Sequence, residues 1–278
     1  MRMLKALVAI LLLVVSVTCS ARDDGIMQAA NQIEVAAGKH RVIVLGETHG
    51  TREIPRLAAT LAQHYAEQGP LLLAIEISTQ ELAPLRDYLR APDDRLRNSL
   101  RRGAGWTIPV QRNDGRRSEQ MIGLIEAMRK LHARGRDVAI LPFDSDAGDG
   151  DARLRDKAMA ATLRKAYVAL PANARLLVLT GNVHAMRVQT VFCAACQRPM
   201  TSHLVDLHPY SIRIDANAGQ AWMCQGVECG PHAIGHPFAQ PGSQSNEPDR
   251  VYDYEAILPR FTPATPIRPD SRAAQANR

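Results

Sequence analysis

Two apolar runs of the chain each end in a glycine that is followed three residues later by a histidine. Residues 42–45 lead into Gly46-Glu47-Thr48-His49, and residues 176–180 lead into Gly181-Asn182-Val183-His184. Short, continuous apolar runs are typical of strands that are buried on both faces of a parallel sheet. Ligands of such sheets bind just beyond the carboxyl ends of the strands. The repeated pattern therefore predicts a parallel sheet with both histidines at its functional edge.

Strand and helix patterns alternate along the first two thirds of the chain, which predicts an α/β fold: a mostly parallel sheet flanked by helices. The predicted strands are residues 41–47, 71–77, 137–143 and 174–180, and the predicted helices are residues 53–68, 80–89, 118–133 and 151–170. The polar, arginine-rich residues 91–117 are interpreted as a helix-loop excursion. Beyond residue 186, residues 203–207 and 211–215 are predicted as short strands of a β-rich, cysteine-containing C-terminal region.

The chain divides into four predicted parts. Residues 1–21 are a signal peptide, residues 22–215 form the α/β domain, residues 216–262 form an extension rich in cysteine, proline and glycine, and residues 263–278 form a disordered tail. The tail lacks a pattern that could build a core.

The N-terminal segment has the form of a secretory signal. Arg2 and Lys5 precede an apolar stretch, residues 7–17, which is short for a membrane span, and Cys19-Ser20-Ala21 offers small residues for cleavage. The simplest expectation is a protein exported to the periplasm or secreted. The alternative is an outer-membrane lipoprotein acylated at Cys19. No second apolar run is long enough to span a membrane, so no transmembrane segment is expected in the mature chain.

Four cysteines remain after such cleavage: Cys193, Cys196, Cys224 and Cys229. An even number in an exported chain favours disulfide bonds, whose connectivity stays open. A zinc knuckle is the alternative, because two close cysteine pairs can also hold zinc.

Charge and composition argue against nucleic-acid binding. The formal net charge is +6, but the basic residues are dispersed and only 4% of residues are aromatic. Nucleic-acid binding usually needs a clustered basic face, often with stacking aromatics. A small-molecule or peptide substrate is the expected partner, and the oligomeric state stays open.

Several polar residues at predicted strand ends are candidates for chemistry. A carboxylate and an imidazole two residues apart, Glu47 and His49, can act as an acid-base pair or as metal ligands. Glu76 ends an apolar strand, where an unpaired carboxylate is costly to bury. His184 follows a central strand, and Asp144 is a supporting candidate. Each candidate also has a structural alternative. Glu47 and His49 could be a helix cap and a surface histidine, Glu76 could belong to a structural ion pair, and His184 could be a histidine buried in the core.

Four motifs in one order resemble the erythromycin esterase/ChaN-like superfamily, which includes the TIKI and TraB proteins. They are Gly46 to Gly50, the strand-ending Glu76, Arg155-Asp156 with Met159-Ala160, and Gly181 to Ala185. The resemblance covers roughly residues 40–190. It implies an α/β core with its site at the strand carboxyl ends, and it assigns Glu47, His49, Glu76, Arg155 and His184 to the polar site positions.

The expected function is an exported hydrolase that adds water to an ester or amide. In one version, His49 with Glu47 or Glu76 deprotonates the water, Arg155 stabilises the oxyanion, and His184 orients or donates a proton. In the other version, His49, His184, Glu47 and Glu76 hold a divalent metal that activates the water. The competing hypothesis, also implied by the resemblance, is a haem- or iron-binding protein without hydrolytic activity.

Overall fold

The computed structural model describes residues 25–91, 95–103, 105–144, 152–188, 198–235 and 250–268. The strands are β1 (Val42–Glu47), β2 (Leu71–Ser78), β3 (Val138–Asp144), β4 (Arg175–Gly181), β5 (Tyr210–Ala216), β6 (Gln220–Gln225), β7 (Glu228–Ala233) and β8 (Tyr254–Leu258). The helices are α1 (residues 25–37), α2 (Glu53–Gln68), α3 (Leu82–Leu89), α4 (Arg95–Arg102), α5 (Glu119–Ala133), α6 (Ala152–Ala169) and α7 (Asn182–Ala185).

Six strands form the main sheet in the order β3-β2-β4-β1-β5-β8, and every neighbouring pair is parallel. The prediction of a parallel α/β sheet is therefore confirmed. β1 and β2 are not neighbours in the sheet, because β4 lies between them. The apolar pattern of a strand reports its burial, not its place in the sheet.

Both faces of the sheet are covered, which explains the continuous apolar runs. In β1, Ile43 and Leu45 pack into the core formed with α1, α2, α3 and α5, whereas Val42 and Val44 pack into the core on the other face. That second core includes Met159 of α6. Alternate residues of a strand point to opposite faces, so both sets must be apolar.

The layer that covers this second face of the sheet also contains a 3-10 helix, Met200–Leu207, where the sequence predicts a strand over residues 203–207. Met200 and Leu204 are fully buried against α6. The buried residues Met200, Thr201, Ser202 and Leu204 do not alternate, as they would in a strand with one buried face. The prediction of a strand at 203–207 is wrong, and that at 211–215 is confirmed as β5.

The C-terminal region belongs to the same packed body. β6 and β7 form an antiparallel hairpin, and β8 extends the main sheet by pairing with β5. Residues 263–268, which the sequence placed in the disordered tail, pair through isolated bridges with Thr51 and Ser118, and Ile267 is buried. The packed chain thus extends beyond residue 262; residues 269–278 lie outside the described residues.

Within the part of the chain that the structure describes, no helix is both long and apolar enough to cross a membrane. The predicted signal peptide, Cys19, Cys193 and Cys196 lie outside the described residues.

Candidate functional site

The carboxyl ends of β1, β2, β3 and β4 meet at one edge of the sheet and bring charged side chains together there. At the end of β1, Glu47 is buried and its Oε1 accepts a hydrogen bond from His49 Nδ1 at 2.9 Å. This bond places the ring proton on Nδ1, so His49 Nε2 carries the lone pair. The side chain of His49 is 24% exposed, so it is partly accessible to solvent.

Glu76, near the end of β2, is the centre of the site. The register between β2 and β3 shifts between Ile75 and Ser78, and such irregularities re-aim side chains. Glu76 Oε1 accepts hydrogen bonds from Arg116 Nη1 at 2.7 Å and from Arg155 Nη2 at 2.8 Å. A carboxylate has about four acceptor positions, and this oxygen uses two of them.

The other oxygen of Glu76 is also occupied. Oε2 accepts from Thr180 Oγ1 and from the Gly181 backbone N–H, both at 2.7 Å. Burial by itself would raise the pKa of Glu76, but His49, His184, Arg116 and Arg155 outweigh it and hold the pKa well below its usual range. Glu76 is therefore an ionised, fully bonded group, which removes it as a general base and leaves Glu47 as the partner of His49.

His184, in α7 directly after β4, faces the same carboxylate. Its Nε2 lies 3.8 Å from Glu76 Oε1, and His49 Nε2 lies 3.9 Å from the same atom. Arg155 Nη1 is 2.9 Å from His184 Nε2, and since a guanidinium only donates, Nε2 must accept. The Nδ1–H of His184 then donates to Asp156 Oδ1 at 2.7 Å.

Gly181 gives the two histidines room. A Cβ at this position would lie 2.9 Å from His49 Nε2 and 3.5 Å from His184 Cδ2. The first distance is shorter than real Cβ contacts allow, so any other residue here would displace the His49 ring. The absence of a side chain at Gly181, in the second motif, therefore leaves room for the ring of His49, in the first motif.

Asp144, at the end of β3, holds the two guanidiniums in place. Its carboxylate accepts from Arg155 Nε at 2.9 Å and from Arg155 Nη2 at 3.0 Å. Arg116 Nη1 reaches Asp144 Oδ2 at 3.4 Å. Asp144 thus contacts both arginines of this cluster. The acidic stretch that follows, residues 145–151, lies outside the described residues.

Arg116 was not identified from the sequence. It comes from the loop before α5, and Asp114 accepts from its Nε at 2.9 Å and from its Nη2 at 2.6 Å. The charges of Glu76 and Asp114 raise the pKa of Arg116 in spite of its burial, so it stays a cation. The available signal was the turn-forming sequence Asn113-Asp114-Gly115 directly before two arginines.

The structure thus brings together all five residues that the resemblance implied and adds Arg116 to them. Opposing electrostatic effects act on the pKa of His49. Burial opposes its charged form, but the ion pair and hydrogen bond with Glu47 and the charge of Glu76 prevail, with Arg116 opposing them. The pKa of His49 is raised above its ordinary value.

The donor set does not fit a metal ion or haem. Among the described residues, no group of three or more His, Cys, Asp or Glu side chains is arranged to hold a metal. Both oxygens of Glu76 are taken by other donors, and His184 Nε2 accepts from Arg155. Haem prefers an apolar pocket, whereas this site gathers arginines and carboxylates.

The described cysteines, Cys224 and Cys229, form a disulfide across the β6–β7 hairpin. This supports the prediction of disulfide bonds and gives the connectivity of these two cysteines. Cys193 and Cys196 lie outside the described residues.

Three solved structures show the same fold. A succinoglycan biosynthesis protein aligns with a TM-score of 0.61 at 10% identity, covering 88% of this chain and 99% of that chain. A Bacillus cereus protein aligns with a TM-score of 0.55 at 12% identity, covering 84% and 91%. A variant of an erythromycin esterase in its open conformation aligns with a TM-score of 0.53 at 13% identity, covering 87% and 81%.

No family model matches the sequence, and no curated protein matches it significantly. At identities of 10–13%, the structural likeness shows the fold alone. It confirms the α/β fold that the resemblance implied, since this chain has the same fold as these solved structures.

Proposed function

We propose that the chain is a hydrolase that adds water to an ester, with His49 as the general base and without a metal ion. The observation that carries the proposal is the setting of His49: Nδ1 is held by Glu47, and Nε2 lies 3.9 Å from Glu76 Oε1, the oxygen that binds the guanidiniums of Arg116 and Arg155. An imidazole held in one tautomer beside fixed cations is suited to proton transfer and charge stabilisation. The fold that this chain shares with an erythromycin esterase agrees with this chemistry.

In the proposed reaction, a water beside His49 Nε2 gives its proton to that nitrogen while its oxygen attacks the acyl carbon. Glu47 stabilises the resulting imidazolium. The negative charge that develops on the acyl oxygen is stabilised by Arg155 and Arg116. When the tetrahedral intermediate collapses, the alcohol oxygen leaves and takes the proton from His49, which restores the base. The products are one carboxylic acid and one alcohol.

Glu76 and His184 have holding roles in this scheme. Glu76 fixes both guanidiniums at 2.7 and 2.8 Å, so the cations need no reorganisation when charge develops. His184 accepts from Arg155 and is itself held by Asp156, which fixes the direction of that guanidinium. This role replaces proton donation by His184, because its Nε2 has no proton to give in this arrangement.

His49→Asn tests the proposal on a panel of chromogenic esters. We expect kcat/KM to fall by about 10²–10⁴-fold, the usual worth of a general base, with Tm nearly unchanged. His132→Asn, at an exposed position of α5, is the matched control and should keep full activity. Activity of His49→Asn equal to that of wild type would overturn the proposal, and loss of wild-type activity on chelation would overturn its metal-free form.

We also propose that the protein is exported. The signal-like residues 1–21 and the Cys224–Cys229 disulfide support this, because disulfides persist in oxidising compartments. Fractionation of expressing cells and the mass of the mature protein provide the test. Cleavage after Ala21 is the expected result, a lipid-modified Cys19 at the new N-terminus would make it a lipoprotein instead, and an uncleaved cytosolic chain would contradict export.

A further inference from the structure

The side chain of Asn113 bridges the turn that carries Arg116. The Asn113 amide donates from Nδ2 to Arg117 O at 2.8 Å, and its Oδ1 accepts from the Gly115 N–H at 3.0 Å. Asn113 is fully buried. These two bonds hold the backbone on both sides of Arg116, so the position of this residue depends on where Asn113 is fixed.

Asn113 is fixed by the β6–β7 hairpin, which comes from the other end of the chain. The Trp222 indole Nε1–H donates to Asn113 O at 2.8 Å. The turn before Asn113 also contacts the hairpin, since Cys229 Sγ lies 2.8 Å from Gln111 O. The hairpin is closed near its tip by the Cys224–Cys229 disulfide.

The main chain of Trp222 joins this turn to the loop of His49. Its N–H donates to Gly50 O at 2.8 Å. A Cβ on Gly50 would lie 1.8 Å from Trp222 O, and a Cβ on Gly115 would lie 2.5 Å from the same oxygen. Both glycines have positive φ, at 75° and 95°. Only glycine fits at these two places, where three backbone segments meet.

We propose that Trp222 is a positioning residue that acts through Asn113 and holds Arg116 against Glu76. The hairpin thereby fixes the position of the Arg116 guanidinium. In the described contacts, no side chain of the hairpin is bonded to the catalytic groups. The kinetic part of this inference rests on the proposed hydrolase function, and the structural part does not.

The structural part is tested by NMR of the Arg116 side chain. Its Nε–H is bonded to Asp114, which should protect this proton from exchange with water. Trp222→Phe removes the indole donor and keeps an aromatic ring. We expect the exchange rate of the Arg116 Nε–H to rise about tenfold, the equilibrium factor for losing roughly one hydrogen bond. If Trp222→Phe does not fold, Trp222→Met, whose flexible apolar side chain can fill the space and carries no N–H donor, serves in its place.

Trp106→Phe is the matched control, because it removes the indole donor of the other tryptophan in the chain. Trp106 Nε1 donates to Glu81 Oε2 at 3.1 Å and is fully buried. This change should lower Tm and leave the exchange of the Arg116 Nε–H unchanged. Equal exchange in Trp222→Phe and wild type, or the same acceleration in Trp106→Phe, would overturn the positioning role.

The kinetic part uses a double-mutant cycle. Arg116→Gln is expected to lower kcat by about 10²-fold and Trp222→Phe by about tenfold, since misplacing a stabilising group costs less than removing it. In the Arg116→Gln background, Trp222→Phe should have almost no further effect, because its partner is gone. Additive losses would show that Trp222 acts on activity by another route. Absence of ester hydrolysis in wild type would count against the hydrolase proposal and leave the exchange result as the test of positioning.

Discussion

Two buried glutamates in this chain are paired with arginine, but they stand in different kinds of surroundings. Glu126 of α5 accepts both guanidinium bonds from Arg129, three residues along the same helix, and one bond from Tyr88 at 2.6 Å. Glu76 is bonded by groups from a loop, from α6 and from β4. Two histidines face Glu76, and none is bonded to Glu126 among the described contacts.

The difference shows what separates a site from a structural ion pair. Burial and charge are common to both regions, so neither identifies function. What identifies a functional site is that its groups come from separate elements. The groups around Glu76 do so, and they meet at the carboxyl edge of a parallel sheet, where such folds bind ligands. Among the described contacts, the hydrogen-bond partners of Glu126 lie on α5 and α3, which these bonds join. A carboxylate with a shifted pKa therefore has to meet this second criterion before it indicates a catalytic site.

The largest expected effect comes from exchanging the two glutamates for glutamine. Glu126→Gln should cost about 3 kcal/mol of unfolding free energy, as breaking a buried ion pair does, with activity per folded molecule unchanged. Glu76→Gln should destabilise as well, because two guanidiniums lose their counter-charge. Only Glu76→Gln should also lose activity, by at least about 100-fold, as the cations lose their fixed positions.

Denaturant unfolding and rates on the same samples measure this difference. Stability alone does not distinguish the two positions, because Glu76 is bonded on both oxygens and its loss must weaken the fold. A folded Glu76→Gln protein with wild-type turnover would reduce Glu76 to the role of Glu126. A fall in activity of folded Glu126→Gln would remove the contrast from the other side.

A smaller effect is expected from adding one methyl group to either region. Gly181→Ala would place its Cβ 2.9 Å from His49 Nε2 and displace the base, with an expected loss of roughly 10- to 100-fold in kcat/KM. Gly123→Ala, in the middle of α5, meets no atom within 4 Å. It should keep activity and raise stability by about 0.5–1 kcal/mol, because alanine favours the helix.

Thermal unfolding and steady-state rates of both variants are the measurements. Wild-type kcat/KM in Gly181→Ala would mean that the His49 ring can move without cost, and the proposed placement of the base would be wrong.

The same contrast explains how far the sequence could predict this molecule. His49, Glu76 and His184 each follow an apolar run closely, and the end of a buried strand is readable from local pattern. Arg116 is not readable in that way. Its loop has no periodicity, and its position depends on Trp222, about a hundred residues away, and on Ile267, whose N–H donates to Arg117 O at 3.1 Å.

Two other features needed the structure for the same reason. The insertion of β4 between β1 and β2 is a long-range arrangement, since each strand has the same buried pattern and could pair with any other. The edge strand β8 lies within residues 216–262, which the sequence predicts as an extension. Only its pairing with β5 assigns Tyr254–Leu258 to the sheet. Local chemistry at strand ends was predictable, and the partners brought from distant segments were not.

The smallest expected effect is a shift along the pH axis that differs between the two regions. The base must be neutral to accept a proton, and the pKa of His49 is raised above 6.5, so activity should be lost as the pH falls through that raised value. Glu47→Gln removes the charge that favours the imidazolium and should move this acid limb to lower pH. Protonated His49 also stabilises the fold, a contribution that is complete below pH 6.5 and lost as the pH rises through the raised pKa.

Glu126 should titrate in another window. Its hydrogen bond from Arg129, opposed by burial and helped by Tyr88, lowers the pKa of Glu126 to about 2 from an ordinary value of 4.5. Its stabilising contribution is therefore present above pH 4.5 and lost as the pH falls towards 2. Glu126→Gln should change acid unfolding and leave the acid limb of activity in place, and Glu47→Gln should move that limb. Rates and unfolding followed over one pH series decide this: if Glu126→Gln moved the activity limb, or Glu47→Gln did not, the base would have to be a group other than His49.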